Sequence, residues 1–349
     1  MVVLIPWIAA FCHAEEYDGG IGLEVLFEDT VCIETANWPP PRLDSLRRLD
    51  SGGLLVNASG ELSGNNKDLH RDSWIIEVEG DGSASLRLAQ GDGGILLTFA
   101  AIEDSPQQWL IGKTAEGDTL WSCRLEGTGE FDNNMEAYPL GGGGYVVVSH
   151  PDCWSTATYM ARVSEGGDLL WNDYLITNYL LDMPEGVGEI YPRIASVRET
   201  AEGDILVCGS VREWITSPFA MYVTLLDGAT GEPRWKFTNY LMGMAEILDV
   251  VGLSSGGIMA VGATAEAIYS DEGPRVAQWG DRLPLAVLLG PDGKAWGSCI
   301  CEGTEAIALT GVIEADPLSG GLVILGSTSF HEPVRHLVIR ALLDFDGSE

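Results

Sequence analysis

A hairpin signal recurs six times along the chain: Gly52-Gly53-Leu54-Leu55-Val56, Gly93-Gly94-Ile95-Leu96-Leu97, Gly143-Gly144-Tyr145-Val146-Val147, Gly203-Asp204-Ile205-Leu206-Val207, Gly256-Gly257-Ile258-Met259-Ala260 and Gly320-Gly321-Leu322-Val323-Ile324. Each sets a turn pair before a short apolar run, the signature of a tight turn entering a buried strand. In most units a second glycine turn follows and leads to a tryptophan: Glu116-Gly117-Asp118-Thr119-Leu120-Trp121, Gly166-Gly167-Asp168-Leu169-Leu170-Trp171, Thr230-Gly231-Glu232-Pro233-Arg234-Trp235 and Asp292-Gly293-Lys294-Ala295-Trp296. Units of roughly 50 residues made only of short strands point to sheets repeated around an axis. The predicted fold is therefore all-β, a β-propeller of six blades, each a four-stranded antiparallel sheet.

Length alone would allow about two or three domains in 349 residues. Six repeat units fill nearly all of that length, so residues 15–349 are expected to form a single domain. A ring also needs closure. The sequence stops at Asp346-Gly347-Ser348-Glu349, before any tryptophan strand of the sixth unit. Ile21 to Phe27 alternates well enough to supply the missing strand, and residues within 21–40 are expected to complete the last blade by hiding its open edge. The first unit looks a strand short, because little separates Gly82 from Gly93.

The repeated residues have structural work to do. Trp121, Trp171, Trp235 and Trp296 are large enough to fill the wedge between neighbouring sheets, and are expected at equivalent buried places. Gly53, Gly94, Gly144, Gly257 and Gly321 mark the hairpin turns, where a glycine accepts backbone angles that other residues resist. The segments 176–200 and 264–283 are the expected loops of function.

The run Leu226-Asp227-Gly228-Ala229-Thr230-Gly231-Glu232-Pro233-Arg234-Trp235-Lys236-Phe237 resembles the tryptophan-docking repeat of quinoprotein-like propellers. The Gly-Gly-Tyr-Val-Val-Val and Gly-Asp-Leu-Leu-Trp pieces resemble the repeats of secreted bacterial propellers. The resemblance implies the propeller fold and says little of activity, because propellers host unrelated functions. Quinoprotein dehydrogenases typically have eight blades and an adjacent cysteine pair near the cofactor. This chain has six units and no Cys-Cys pair, so no cofactor is expected.

Charge narrows the partners. With 52 acidic against 19 basic residues the net charge is −33, and such a surface repels a polyanion while offering few cations to its phosphates, which excludes nucleic acid as a partner. Val2 to Phe11 is apolar and Ala14 is a small residue before Glu15-Glu16, so residues 1–14 are expected to be a signal peptide, although no lysine or arginine precedes the apolar run. That places the protein outside the cytoplasm, in the periplasm or beyond the cell. No later apolar stretch is long enough to span a bilayer.

Motifs with catalytic overtones have plainer explanations. Gly252-Leu253-Ser254-Ser255-Gly256 matches G-x-S-x-G, but that motif needs a strand, a sharp turn and a helix, whereas here a hairpin strand follows. Asp344-Phe345-Asp346-Gly347 and Gly80-Asp81-Gly82 are acidic glycine turns without the further ligand a calcium loop requires. His70, His150, His331 and His336 lack metal-binding spacing, so no metal site is expected. Cys32, Cys123, Cys153, Cys208, Cys299 and Cys301 remain after the signal, an even number that permits disulfides or small buried thiols. Asn57-Ala58-Ser59 fits a glycosylation acceptor but falls within a predicted strand. The expected function is that of a monomeric, non-catalytic binding module for a protein or carbohydrate ligand. The rival is a quinoprotein-like or carbohydrate-active enzyme with a site at the central channel.

Overall fold

The computed structural model describes residues 22–31, 42–48, 54–61, 71–78, 84–88, 96–101, 108–114, 118–126, 135–149, 157–176, 191–212, 219–239, 243–266, 268–270, 273–275, 282–300, 306–316, 321–328 and 336–344, with side-chain surroundings given only between 108 and 343. Residues 1–14, Asn37 to Pro41, Gly53, Gly94, His70, His150, His331, Cys32, Cys153 and Cys301 lie outside the described residues.

Every described element is a strand. After β1 (Gly22–Val31), the first sheet takes β2 (Arg42–Arg48), β3 (Leu54–Glu61), β4 (Arg71–Val78) and β5 (Ala84–Leu88) in that order. The second sheet has β6 (Leu96–Ala101), β7 (Gln108–Lys113) and β8 (Thr119–Arg124). The third has β9 (Met135–Pro139), β10 (Tyr145–Ser149), β11 (Ala157–Val163) and β12 (Leu169–Ile176), and the fourth β13 (Tyr191–Glu199), β14 (Ile205–Arg212), β15 (Phe219–Leu226) and β16 (Pro233–Asn239). In the fifth, β17 (Gly243–Gly252) and β18 (Ile258–Glu266) are followed by a separate two-stranded ribbon, β19 (Ile268–Ser270) and β20 (Gly273–Arg275), before β21 (Arg282–Leu289) and β22 (Ala295–Ile300) complete the sheet. The sixth joins β23 (Ala308–Asp316), β24 (Gly321–Ser327) and β25 (His336–Asp344) to β1, in the order β1-β25-β24-β23. All pairings are antiparallel.

Two expectations about strand supply meet different outcomes. The N-terminal strand does complete the last sheet: β1 pairs along its length with β25, from Gly22 opposite Asp344 to Val31 opposite His336. The strand deficit near residue 90 falls on the second sheet, not the first. The first sheet has its fourth strand in β5, and the second has three strands among the described residues, starting at the equivalent of a second strand. Seven residues, 89–95, separate β5 from β6.

The core is a series of layers between consecutive sheets. Val146, Val148 and Tyr138 of the third sheet pack with Ile194, Val207 and Tyr222 of the fourth. Cys208, Met221 and Val223 of the fourth meet Ile247, Ile258 and Val287 of the fifth on the other side. Met259, Val261 and Leu288 of the fifth meet Leu309, Ile324 and Ile339 of the sixth. Strands sandwiched in this way are buried on both faces, which is why residues 205–208 of β14 and 322–325 of β24 are unbroken apolar runs rather than alternating ones. Of the segments 176–200 and 264–283, expected as loops, the described parts are mostly strand: the end of β12 and β13 in the first, and the end of β18, the β19–β20 ribbon and the start of β21 in the second.

An edge left on β25 would be a long unpaired strand, open to pairing with other chains. Deleting residues 15–40 should therefore cause aggregation or loss of the cooperative unfolding transition, measured by light scattering and thermal melting. A monomeric deletion protein with an unchanged melting temperature would show that β1 is dispensable.

Candidate functional site

Between the sheets, the tryptophans lock one sheet to the next. Trp121 on β8 lies over Gly167 in the third sheet, Trp171 on β12 over Gly231 in the fourth, and Trp235 on β16 over Gly293 in the fifth. A Cβ added at these glycines would stand 2.7 Å from Trp121 Cδ2, 2.9 Å from Trp171 Cε3 and 2.5 Å from Trp235 Cε3. Each glycine also has a positive φ, 89°, 77° and 80°, at the turn before the outer strand. Only glycine meets both demands at once, a left-handed backbone and a bare α-carbon under an aromatic face.

Trp296 differs from these three by a single residue in its spacing. Gly293 to Trp296 is one position shorter than Gly117 to Trp121, Gly167 to Trp171 or Gly231 to Trp235. In each outer strand a bulge leaves one extra residue: Leu120, Leu170 and Arg234 in β8, β12 and β16, but Trp296 itself in β22. Leu120 and Leu170 are accordingly exposed at 53% each. The Trp296 ring lies over Gly257 and Gly290 of its own sheet, where an added Cβ would stand 3.2 and 2.6 Å away, as Trp121 also lies over Gly112 of its own, and it packs against the apolar layer shared with the sixth sheet. The turn after β25, the counterpart of the Gly293 turn, lies outside the described residues.

The turn glycines show a similar offset. Positive φ recurs at Gly143, Gly203 and Gly256, the first residue of each hairpin pair; of the second-position glycines singled out from the sequence, Gly144 shares it. Gly257 carries Trp296, and Gly321 opens β24.

Charged groups form a second set of ties between sheets. Asp249 on β17, fully buried, accepts from Ser196 Oγ at 2.7 Å and Arg198 Nε at 3.1 Å through Oδ1, and from Arg198 Nη2 at 2.6 Å and the Val312 backbone N–H at 3.0 Å through Oδ2. It therefore joins β13, β17 and β23, the first strands of three successive sheets. Arg162 on β11 crosses to the fourth sheet, donating to Glu199 at 2.8 Å and to the Gly228 carbonyl at 2.7 Å, while Glu199 accepts the Gly142 N–H from the third. Ser254 donates both its N–H and its hydroxyl to Glu314 of the sixth sheet, at 2.9 Å each. Glu246 and Arg282, both buried, form an ion pair within the fifth sheet.

This arrangement decides what the described groups can do chemically. A carboxylate has about four lone-pair sites, and those of Asp249 are filled, so it has none to offer a substrate or a proton acceptor role. Ser254 sits in an ordinary turn, with the Leu253 N–H bonded to the Gly257 carbonyl at 2.8 Å and β18 following directly, so no nucleophile elbow is present. Cys123 is a free, buried thiol, Cys208 is buried and Cys299 is half-buried. Burial in the first place, with the Asp168 charge after it, pushes the Cys123 thiol up to about 11, the opposite of an activated nucleophile. Among the described residues no three metal-binding side chains group together.

The charged ties were not legible from sequence, because their partners lie 37 to 63 residues apart and carry no local pattern. The docking pairs were half legible. The repeat located the tryptophans and the turns, and the G-to-W count alone could have separated Trp296 from the others.

No family model matches the chain, and no curated protein does. Solved structures resemble it at low identity. A protein of unknown function from Dyadobacter fermentans has 9% identity and a TM-score of 0.47, over 93% of this chain and 100% of that one. An endo-arabinase from Bacteroides thetaiotaomicron has 12% identity and a TM-score of 0.38, over 88% and 95%. The β-propeller domain of a trilobed protease from Pyrococcus furiosus has 11% identity and a TM-score of 0.33, over 88% and 83%. At these identities the likeness says nothing of what this chain binds or catalyses.

Trp171 Nε1 donates to the Gly228 carbonyl at 2.9 Å, whereas the buried Nε1 atoms of Trp121 and Trp235 have no partner among the described residues. Trp171→Phe should therefore cost about 1 kcal/mol more than Trp235→Phe in denaturant unfolding. Asp249→Asn, which leaves Arg198 facing a neutral amide, should cost about 3–5 kcal/mol by the same measurement. The Cys123 thiol titrates from its ordinary 9.0 in the unfolded chain and at about 11 when folded. The fold holds the proton more tightly, so the stability from this group is complete below pH 9 and falls as pH rises toward 11. Comparing thermal melts of the parent and Cys123→Ala across that window should show the extra loss in the parent alone.

Proposed function

We propose that the chain is a six-bladed β-propeller, closed through β1, that serves as an exported, monomeric binding module for a protein or carbohydrate ligand. Closure is supported by two contacts between the ends of the sheet series: β2 of the first sheet lies against β23 of the sixth, and β1 reaches β5. The tryptophan and carboxylate ties link the second sheet through to the sixth in sequence order. Such serial contact is what a ring of blades requires and what a stack of unrelated sheets lacks.

The observation that carries the non-catalytic reading is the state of Asp249. Catalytic carboxylates are kept poised by burial or a like-charged neighbour and left accessible to substrate. Asp249 is instead saturated, and Glu246 and Glu199 are paired with Arg282 and Arg162. Asp249 and Glu199 tie neighbouring sheets, and Glu246 is paired within its own.

The glycine turns all lie at one end of the strands. The opposite end carries the connections from second to third strands, including the β19–β20 ribbon, and offers the more varied surface for a ligand. Glycan and peptide arrays probed with the protein should show saturable retention with the ligand recovered intact. Replacing residues 267–281 with a short glycine linker should abolish retention and leave the melting transition unchanged. Recovery of cleaved or oxidised ligand would favour the enzyme reading, and retention undisturbed by the ribbon's removal would put the binding surface elsewhere.

A further inference from the structure

Arg193 and Glu246 occupy the same level on adjacent first strands. Arg193 stands opposite Ser210 and Glu246 opposite Ala263, each one pair beyond the residue facing a glycine of the second strand, Gly209 or Gly262. In both sheets a Cβ on that glycine would collide with the carbonyl of the residue concerned, Arg193 or Glu246, so the two strands are held at equal depth. β13 packs on β17, which brings the two levels together at the end of the strands away from the glycine turns. Arg282, the first residue of β21, enters the same place directly after the ribbon segment.

Among the described residues, the charge on Arg193 has no acidic counterpart. Glu246 is committed to Arg282, both of them buried. Arg193 is exposed and its guanidinium makes no hydrogen bond or ion pair among the described residues. Arg162, Arg198, Arg234 and Arg282 each have a carboxylate partner. In a chain with 52 acidic residues against 19 basic ones, counter-charge is plentiful, and an arginine without it among the described residues, beside a second guanidinium, is a local positive centre in a negative surface. Burial chiefly holds Arg282 below its ordinary value, Glu246 opposes it, and the Arg193 charge adds a smaller lowering.

We infer that this mouth between the fourth and fifth sheets binds the oxyanion group of a ligand, a carboxylate or a phosphate, with Arg193 as the contacting cation. The planar guanidinium offers two parallel N–H donors matched to either group. An arriving anion would offset the repulsion between Arg193 and Arg282 and leave the Glu246–Arg282 pair intact. The net charge of −33 restricts the ligand to a small or sparsely charged one, because a polyanion would be repelled by the rest of the surface. This inference rests on the binding-module reading and names the chemistry of its ligand.

The test uses the full chain labelled with nitrogen-15 arginine, titrated with inorganic phosphate and separately with acetate at constant ionic strength against chloride. The expected result is a saturable shift of the Arg193 Nε–H signal with at least one of the two anions, and a rise in melting temperature with that anion. Whichever anion saturates identifies the group. In Arg193→Ala the rise should vanish, and Arg193→Lys should recover only part of it; an exposed side chain makes both variants expected to fold like the parent. No saturable shift with either anion, or an equal rise in Arg193→Ala, would overturn the inference. Array retention that persists in Arg193→Ala would leave the binding-module reading standing while the anion site falls.

Discussion

An indole lying flat on a bare glycine of the neighbouring turn is the contact on which the rest of the structure depends. Antiparallel sheets can be stacked in many ways, and apolar faces alone do not choose among them. The contact of Trp121 with Gly167, Trp171 with Gly231 and Trp235 with Gly293 chooses one, because each ring fits only where a turn lacks a Cβ. Successive sheets are thereby offset by the same step, and the apolar layers between them fill in the same manner each time. The bulge before each tryptophan belongs to this device: it adds one residue on the outer strand and turns the ring toward the next sheet.

Once the step is fixed, polar groups on the first strands can meet across it. Asp249 receives donors from both neighbours only because β13 and β23 flank β17 at matching heights. Arg162 likewise reaches two turns of the next sheet, at Gly203 and Gly228. A buried ion pair of this kind adds little over an apolar contact of the same size but is costly to break, so it favours one arrangement over its competitors. The tryptophans set the spacing, and the carboxylates penalise departures from it.

Much of this was legible in the sequence because the repeat is local. Glycine pairs before apolar runs located the second strand of most sheets, and the alternation of Ile21 to Phe27 pointed to the N-terminal strand that pairs with β25. The errors were also physical. A deficit of residues near Gly93 shows that a strand is missing but not which side of the turn loses it. Four tryptophans look alike in composition, yet one residue fewer before Trp296 puts the tryptophan itself, rather than the residue before it, at the bulge of its outer strand. Asp249, Arg193 and Glu246 gave no signal, since what makes them notable is the sheet beside them rather than the residues around them in sequence.

The central claim is that ring and glycine act as a unit, and a double-mutant cycle on Trp171 and Gly231 measures it most directly. Trp171→Ala, Gly231→Ala and the double variant should be compared by equilibrium unfolding in denaturant. Gly231→Ala carries two costs, the strained φ of 77° and the collision with the indole, and only the second depends on Trp171. The account expects the double variant to be more stable than the sum of the single losses implies, with a coupling of about 0.5–3 kcal/mol, the range for residues in direct contact. Additive losses would mean that the glycine answers only to its own backbone, and that the sheets are held in step by something other than the tryptophan.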